Sequence, residues 1–379
     1  MRLLYVACDQ AVPGHTGGSV HVLEVARGLA ARGHEVHAAV SAGPGLAARE
    51  ELEGVTWHRI RWRPPHRFFR FRARPAVRAL LAWLKPDVLM ERYYNFGGEG
   101  ITAASSLGVP SMLEVNSPVV DHPGSWKGAL DALTVLRPMR RYRERLCREA
   151  SALVAPIAEI VPAFAREKTE IVTWGANVEA FRPERRSEGV RLDLGVPKGA
   201  VVALFSGSFR PWHGVHVFEE AARRLAGRRD LFFLLVGGPE AGEGRGYPGR
   251  RLGTVPYERM PEIVAASDIG IAPYDTSRLR QLRLGFYWSP LKVFEYMASG
   301  LPTITIPLAP LTEIVREDRE GAFFREGDGA DLARAIAFLA DAPERRAAQG
   351  RSARERVVER YSWARHCEQL EGVLLRIAR

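Results

Sequence analysis

The 379-residue sequence is informative first for what it lacks. No run approaches the roughly 18 consecutive apolar residues that a membrane-crossing helix requires. Cysteine is scarce: Cys8, Cys147 and Cys367 lie far apart, with neither a disulfide framework nor metal-ligand spacing, so they read as buried thiols. No G-x-G-x-x-G follows the first apolar run, which argues against a dinucleotide-dependent dehydrogenase, and no G-x-x-x-x-G-K-[ST] occurs, which argues against a P-loop nucleotidase. There is no Asp-x-Asp pair to hold a divalent ion against a diphosphate. A bound diphosphate would have to be met by backbone N–H groups, a helix N-terminus and basic side chains, and no metal or other cofactor is expected.

Acidic residues are missing altogether from one segment. Between Trp57 and Lys85 stand nine basic residues (Arg59, Arg61, Arg63, Arg67, Arg70, Arg72, Arg74, Arg78, Lys85), interleaved with Trp57, Trp62, Phe68, Phe69, Phe71 and Trp83. With the formal net charge of +10, this points to anionic partners. A solvated basic loop is one reading. A surface resting on anionic lipid head groups is the other, each cation contributing on the order of 1 kcal/mol. Nucleic acid ranks behind both, because no recognised binding motif accompanies the patch.

What is present is ordinary for a globular protein, with 46% hydrophobic and 26% charged residues, and the length asks for two domains. Arg2 to Cys8 reads as a strand. A loop with Gly14, Gly17 and Gly18 follows, then a helix to about Arg32 with Ser19 as its cap, then a strand from Glu35 to Ser41. Further strands are read at Asp87–Met90, Ser111–Val115 and Ala152–Ala155, before a polar, proline-containing stretch from Arg182 to Gly189. The alternation restarts with strand Val201–Ser206, helix Val215–Leu225, strand Leu231–Val236, helix Met260–Ala266, strand Ile269–Ala272, helix Leu291–Ser299 and strand Thr303–Ile306. Two such series imply an α/β protein of two Rossmann-like, doubly wound domains, residues 1–183 and 184–361, with ligands outside the carboxyl ends of the strands. A first strand instead of a signal peptide at the start implies a cytoplasmic protein, with the 57–85 patch at the inner membrane face.

The segment Ser289-Pro290-Leu291-Lys292-Val293-Phe294-Glu295-Tyr296-Met297-Ala298-Ser299-Gly300-Leu301-Pro302 says most about chemistry. Ser289 is placed to cap a helix and Pro290 to occupy its first position. Leu291, Phe294, Met297 and Ala298 form an apolar stripe, with Lys292, Glu295 and Ser299 on the other side. A cation in the first helical turn opposes the helix dipole, unless a dianion sits at the helix start. Glu295, one turn on, could then accept hydrogen bonds from ribose hydroxyls. A capped surface helix with an i,i+3 Lys–Glu pair is the plainer alternative.

This segment resembles the nucleotide-sugar site of the family 4 retaining glycosyltransferases, which have the GT-B fold of two Rossmann-like domains facing across a cleft. Gly17-Gly18-Ser19-Val20-His21-Val22-Leu23-Glu24, Leu113-Glu114-Val115-Asn116-Ser117-Pro118, Phe205-Ser206-Gly207-Ser208-Phe209-Arg210-Pro211-Trp212-His213-Gly214, Leu235-Val236-Gly237-Gly238-Pro239-Glu240 and Gly253-Thr254-Val255-Pro256-Tyr257 resemble its other landmarks, in order along nearly the whole chain.

The resemblance implies a glycosyltransferase moving a hexose from a UDP- or GDP-sugar to a hydroxyl acceptor, with retention and without a metal. It implies that Glu295 contacts the donor ribose, that Leu291 and Lys292 lie at the diphosphate, and that Ser289 is among the donor-binding residues. Gly17 and Gly18 would approach the donor phosphates, Arg251 to Tyr257 would line the base pocket, and His122 would face donor sugar and acceptor, with Asn116 a second candidate there. It also implies that the C-terminal helix, about Ser362 to Arg379, packs back on the first domain.

The chain departs from the family pattern where the first glutamate of E-x7-E would fall, at Tyr287. Ser208 and His213 replace a frequent arginine and lysine, and Arg210 is the candidate to restore the charge. Tyr287 keeps open a catalytically silent nucleotide-sugar-binding protein, and a sugar-nucleotide epimerase on the same fold is a further alternative.

Overall fold

A computed structural model describes residues 1–14, 16–61, 73–95, 97–122, 125, 128–129, 133, 138–279, 282, 284–287 and 289–378. The chain forms two compact units. The first comprises Met1–Trp174, Tyr287–Ser289 and Trp363–Arg379, and the second Gly175–Phe286 and Pro290–Ser362.

The first unit is built on an eight-stranded sheet of β1 (Arg2–Ala11), β2 (Glu35–Ser41), β3 (Arg49–Leu52), β4 (Val55–Ile60), β5 (Val88–Arg92), β6 (Ser111–Glu114), β7 (Ala152–Ala155) and β8 (Thr169–Ile171). Their order is β3-β4-β2-β1-β5-β6-β7-β8, parallel but for the β3–β4 pair. Leu3 pairs with Val36 on one side and Val88 on the other, and the continuous apolar run of β1 follows from burial on both sheet faces. Helices α1 (Gly17–Ala31), α2 (Arg74–Leu84), α3 (Glu99–Leu107) and α4 (Pro138–Glu149) connect the strands. The C-terminal helix Trp363–Ile377 lies against α1, where a Cβ on Gly28 would stand 2.3 Å from Cys367 Sγ. Its Glu371 accepts from the Arg32 Nε and contacts His34, both at 2.7 Å.

The second unit carries a six-stranded parallel sheet of β9 (Val201–Ser206), β10 (Leu231–Glu243), β11 (Gly249–Gly253), β12 (Ile269–Ala272), β13 (Thr303–Thr305) and β14 (Gly321–Phe323), in the order β11-β10-β9-β12-β13-β14. Helices α5 (Val215–Arg224), α6 (Met260–Ala265), α7 (Leu291–Ala298), α8 (Gly329–Ala340) and α9 (Pro343–Arg360) accompany it, with two short helices at Glu188–Asp193 and Leu311–Ile314. The chain runs outward from β9 to β11 and returns to the other side of β9 at β12. The gap between β9 and β12 is therefore a topological switch point, and ligands of such sheets bind there, outside the strands' carboxyl ends.

Three expectations are corrected. Thr16, not Ser19, caps α1, accepting from the Ser19 N–H at 3.2 Å, so Gly17 and Gly18 open the helix instead of preceding it. The unit boundary falls at Trp174/Gly175, ahead of 183/184, because the polar 182–189 stretch docks on the second unit: Arg186 donates to the Ser267 carbonyl and pairs with Asp268, both at 2.9 Å. In the 57–85 patch, Trp57 is buried and Arg59 pairs with Glu50 at 2.7 Å, so these two belong to the core of the first unit. Residues 62–72 of the patch lie outside the described residues.

Candidate active site

The switch point of the second unit collects the segments that the sequence singled out. Strand β9 ends at Ser206, and Gly207 follows with a φ of +154°. Its backbone is held by Ser206, whose N–H donates to the Tyr296 hydroxyl at 2.7 Å, tying the loop to α7. Gly214 turns the chain into α5 at a φ of +70°, where a Cβ would stand 1.5 Å from the Pro273 carbonyl oxygen. That approach brings the segment after β9 against the segment after β12.

Helix α7 begins beside this loop. Its residue before the first turn is Pro290, and no side chain caps it; Ser289 accepts instead from the Trp174 N–H at 3.1 Å. The expected Ser289 cap and Pro290 first-turn position are thus both shifted by one residue. The N–H groups of Val293 and Phe294 reach the Pro290 carbonyl, which leaves those of Leu291 and Lys292 without a backbone partner among the described residues. Leu291 is half-buried.

Lys292 is 9% exposed, not solvent-facing. Its Nζ lies 4.4 Å from the Phe205 ring centre and 5.2 Å from that of Tyr274, and has no hydrogen-bond partner among the described residues. Burial pushes the ammonium down to about 7, against the opposing charge of Glu295. A methyl added to Gly207 would stand 2.9 Å from that Nζ and 3.0 Å from Nδ1 of His213. Two buried nitrogens therefore converge on the open side of one glycine.

His213 is the residue that sequence reasoning undervalued. It is buried, and burial together with Lys292 and Arg210 pushes its imidazole down to about 2, so the ring is neutral. The signal was a glycine at the end of the first strand of the second domain, which only the fold could connect to position 213. Arg210, the expected substitute cation, is exposed, and its charge is close enough to bear on His213.

Glu295, one turn along α7, is buried and accepts from the Tyr257 hydroxyl at 2.8 Å. Tyr257 rests on Phe181, with ring centres 6.0 Å apart. Arg251, at the start of the expected base pocket, pairs with Glu219 at 2.7 Å and faces Phe209. Lys292, Glu295, Tyr257, Leu291 and Arg210 thus all belong to the second unit.

The remaining candidates belong to the first unit. Gly17 is exposed at the start of α1, and a Cβ on Gly18 would stand 2.5 Å from the Gln10 amide oxygen. Asn116 accepts from the Trp174 indole at 3.1 Å, which gives it a structural partner. Tyr287 is buried. His122 is half-buried, and its carbonyl accepts from the Ser125 N–H at 3.0 Å. Next to it, Asp121 pairs with Arg143 at 2.8 Å and lines a cavity of about 450 Å³ with Val119, Val120, Arg140, Glu144 and Phe164.

Comparison with known proteins decides the class. Residues 16–169 match a glycosyl transferase 4-like domain, and residues 215–372 match a glycosyl transferase-like family. The chain is a group 1, family 4 glycosyltransferase. It is 26% identical to a D-inositol 3-phosphate glycosyltransferase of Catenulispora acidiphila, over 93% of this chain and 88% of that one. To a sulfoquinovosyl transferase of Arabidopsis thaliana it is 24% identical, over 76% of this chain and 56% of the relative. A sucrose-phosphate synthase from Thermosynechococcus elongatus superposes with a TM-score of 0.74 at 17% identity, covering 99% of this chain and 98% of the other. Anabaena HepE in complex with UDP does so with a TM-score of 0.71 at 17% identity, covering 99% and 100%. The glycosyltransferase thus has the GT-B fold of two α/β domains. Among the described residues, no helix is long and apolar enough to cross a membrane.

Proposed function

We propose that this glycosyltransferase takes its sugar from a UDP- or GDP-activated donor whose diphosphate sits against the start of α7, and passes it to an acceptor hydroxyl with retention of configuration. The observation that carries the reading is the Lys292 amine, buried beside Gly207 with no hydrogen-bond partner among the described residues. Burying a cation without a partner is unfavourable unless a ligand supplies the missing charge. The solved structures of Anabaena HepE with UDP and with UDP-glucose support a uridine nucleotide as the first donor to test.

In this reading the open N–H groups of Leu291 and Lys292, the ammonium and the neutral His213 stabilise the charge that grows on the departing diphosphate. Glu295, oriented by Tyr257, accepts from the ribose hydroxyls. The acceptor is taken by the first unit, at His122 and the cavity beside Asp121. The leaving diphosphate itself deprotonates the incoming hydroxyl on the same face of the sugar, and the transfer needs no metal.

The test is nucleotide release from a panel of UDP- and GDP-sugars, with and without chelator, followed by anomeric analysis of the product. Release from none of them by the wild type would sink the donor reading, and an inverted product would sink retention. Lys292→Ala is expected to lower turnover by roughly 10²- to 10³-fold.

A further inference from the structure

We propose that His21, Glu114 and His366 form a binding site in the first unit for one divalent transition-metal ion of the zinc(II) type. The three side chains come from α1, from the end of β6 and from the C-terminal helix, and their ligand atoms lie within 4.8 Å of one another. All three are buried, at 0%, 3% and 3% exposure.

The hydrogen bonds around the cluster orient the donor atoms toward one another. Nδ1 of His366 faces the Thr173 carbonyl at 2.8 Å, so that nitrogen carries the proton and Nε2 presents a lone pair. The Tyr5 hydroxyl donates to Glu114 Oε2 at 3.0 Å, which leaves Oε1 facing His21 Nε2 at 2.7 Å. Metal-bound histidines and carboxylates are commonly held in this way by a carbonyl or a hydroxyl behind them.

A proton shared by His21 and Glu114 accounts for only part of this arrangement. It leaves His366 Nε2 buried and without any donor, and His21 Nδ1 is likewise unpartnered among the described residues. Buried polar atoms without partners are uncommon in native structures. A cation at the centre satisfies His366 Nε2, His21 Nε2 and Glu114 Oε1 together. Two imidazole nitrogens and one carboxylate oxygen suit zinc, with a water completing four-coordination. Aromatic rings wall the cluster: His21 stacks on Trp174 at 4.2 Å, and Trp363 meets His21 at 5.5 Å and His366 at 5.3 Å. Such a site would tie the C-terminal helix to α1 and β6. Its three residues belong to the first unit and Lys292 to the second, and the ion takes no part in the transfer proposed for Lys292.

The test uses the whole protein purified from cells grown with added zinc sulfate. Elemental analysis should find about one equivalent of zinc per chain. Its removal by a chelator should lower the Tm by several degrees, with zinc sulfate, but not magnesium chloride, restoring it. Glu114→Gln and His366→Gln should lose the metal and the chelator response. Should either variant fail to fold, wild-type protein reconstituted with cobalt(II) decides: the intense visible absorption of a four-coordinate ion supports the site, and the weak spectrum of octahedral cobalt overturns it. Absence of zinc from the wild type with no Tm response to zinc sulfate overturns it too, as does zinc retained in full by both folded variants.

Discussion

The Lys292 ammonium stands 4.4 Å from the centre of the Phe205 ring, an aromatic face in place of a hydrogen-bond acceptor among the described residues. The quadrupole of such a face tolerates a cation by roughly 1 to 2 kcal/mol when desolvated, which is less than burial takes away. The resting site is therefore electrostatically incomplete, and in the reading given above the donor's diphosphate completes it.

Nucleotide binding should consequently take up a proton. Lys292 rests near pH 7 in the free protein, and an adjacent diphosphate would raise its affinity for a proton. Affinity for UDP is expected to fall as pH rises through and above 7, while the lysine is progressively neutralised. Calorimetry of UDP binding at pH 7.5, in buffers of different ionisation enthalpy, should return an uptake that is absent in Lys292→Met. An uptake unchanged in that variant would locate the proton elsewhere.

Lys292→Met should also stabilise the ligand-free protein while disabling it. The folded-state affinity of this lysine for protons lies below its unfolded value, so the unfolded chain binds more protons between about pH 7 and 10.5. The native lysine is thus most destabilising below pH 7 and is relieved as pH rises. Thermal unfolding should show a gain of several degrees for the variant at pH 6 and a smaller one at pH 9. A loss of stability at pH 6 would mean that the ammonium is satisfied in the native state.

Much of this was legible from periodicity. Strands β2, β7, β9 and β12 have the bounds read from the sequence, because a short, mostly apolar run is the signature of a parallel strand covered on both faces. Local chemistry misled where two residues competed for one role. Thr16 and Ser19 both precede apolar helix positions, and only the observed hydrogen bond assigns the cap to Thr16. Ser289 resembled a cap until its hydroxyl was found accepting from Trp174. The convergence of His213 with Lys292 and the His21–Glu114–His366 cluster were illegible for a different reason. Each depends on residues brought together by the fold from distant parts of the chain, and no spacing rule links them.

Glu295 and Tyr257 should divide one function between them. The tyrosine hydroxyl occupies Glu295 Oε1 and orients the carboxylate. Glu295→Ala should weaken UDP binding by roughly 10- to 100-fold, through loss of charged hydrogen bonds. Tyr257→Phe should weaken it less, and the two changes combined should cost little more than Glu295→Ala alone. Isothermal titration of the four proteins checks this; full additivity would show that the two groups act independently.

A buried acid pair in the first unit gives a prediction independent of the active site. Glu91 accepts from the N–H groups of Gly98 at 2.9 Å and Ile101 at 2.6 Å, covering the start of α3. Glu99 accepts from the Tyr94 hydroxyl at 2.5 Å. Burial, and then the charge of Glu91, pushes the Glu99 carboxyl well up. A carboxyl raised in this way favours the folded state in its protonated form, and that advantage is lost as pH climbs above the unfolded value of 4.5. Glutamine keeps the shape and a donor without ionising. Glu99→Gln should therefore raise the urea midpoint at pH 8, with a smaller gain at pH 5. Because the residue belongs to the first unit and Lys292 to the second, UDP affinity should be unchanged. A midpoint that drops at pH 8 would show that the native carboxylate is ionised and satisfied, with Glu91 carrying the proton instead.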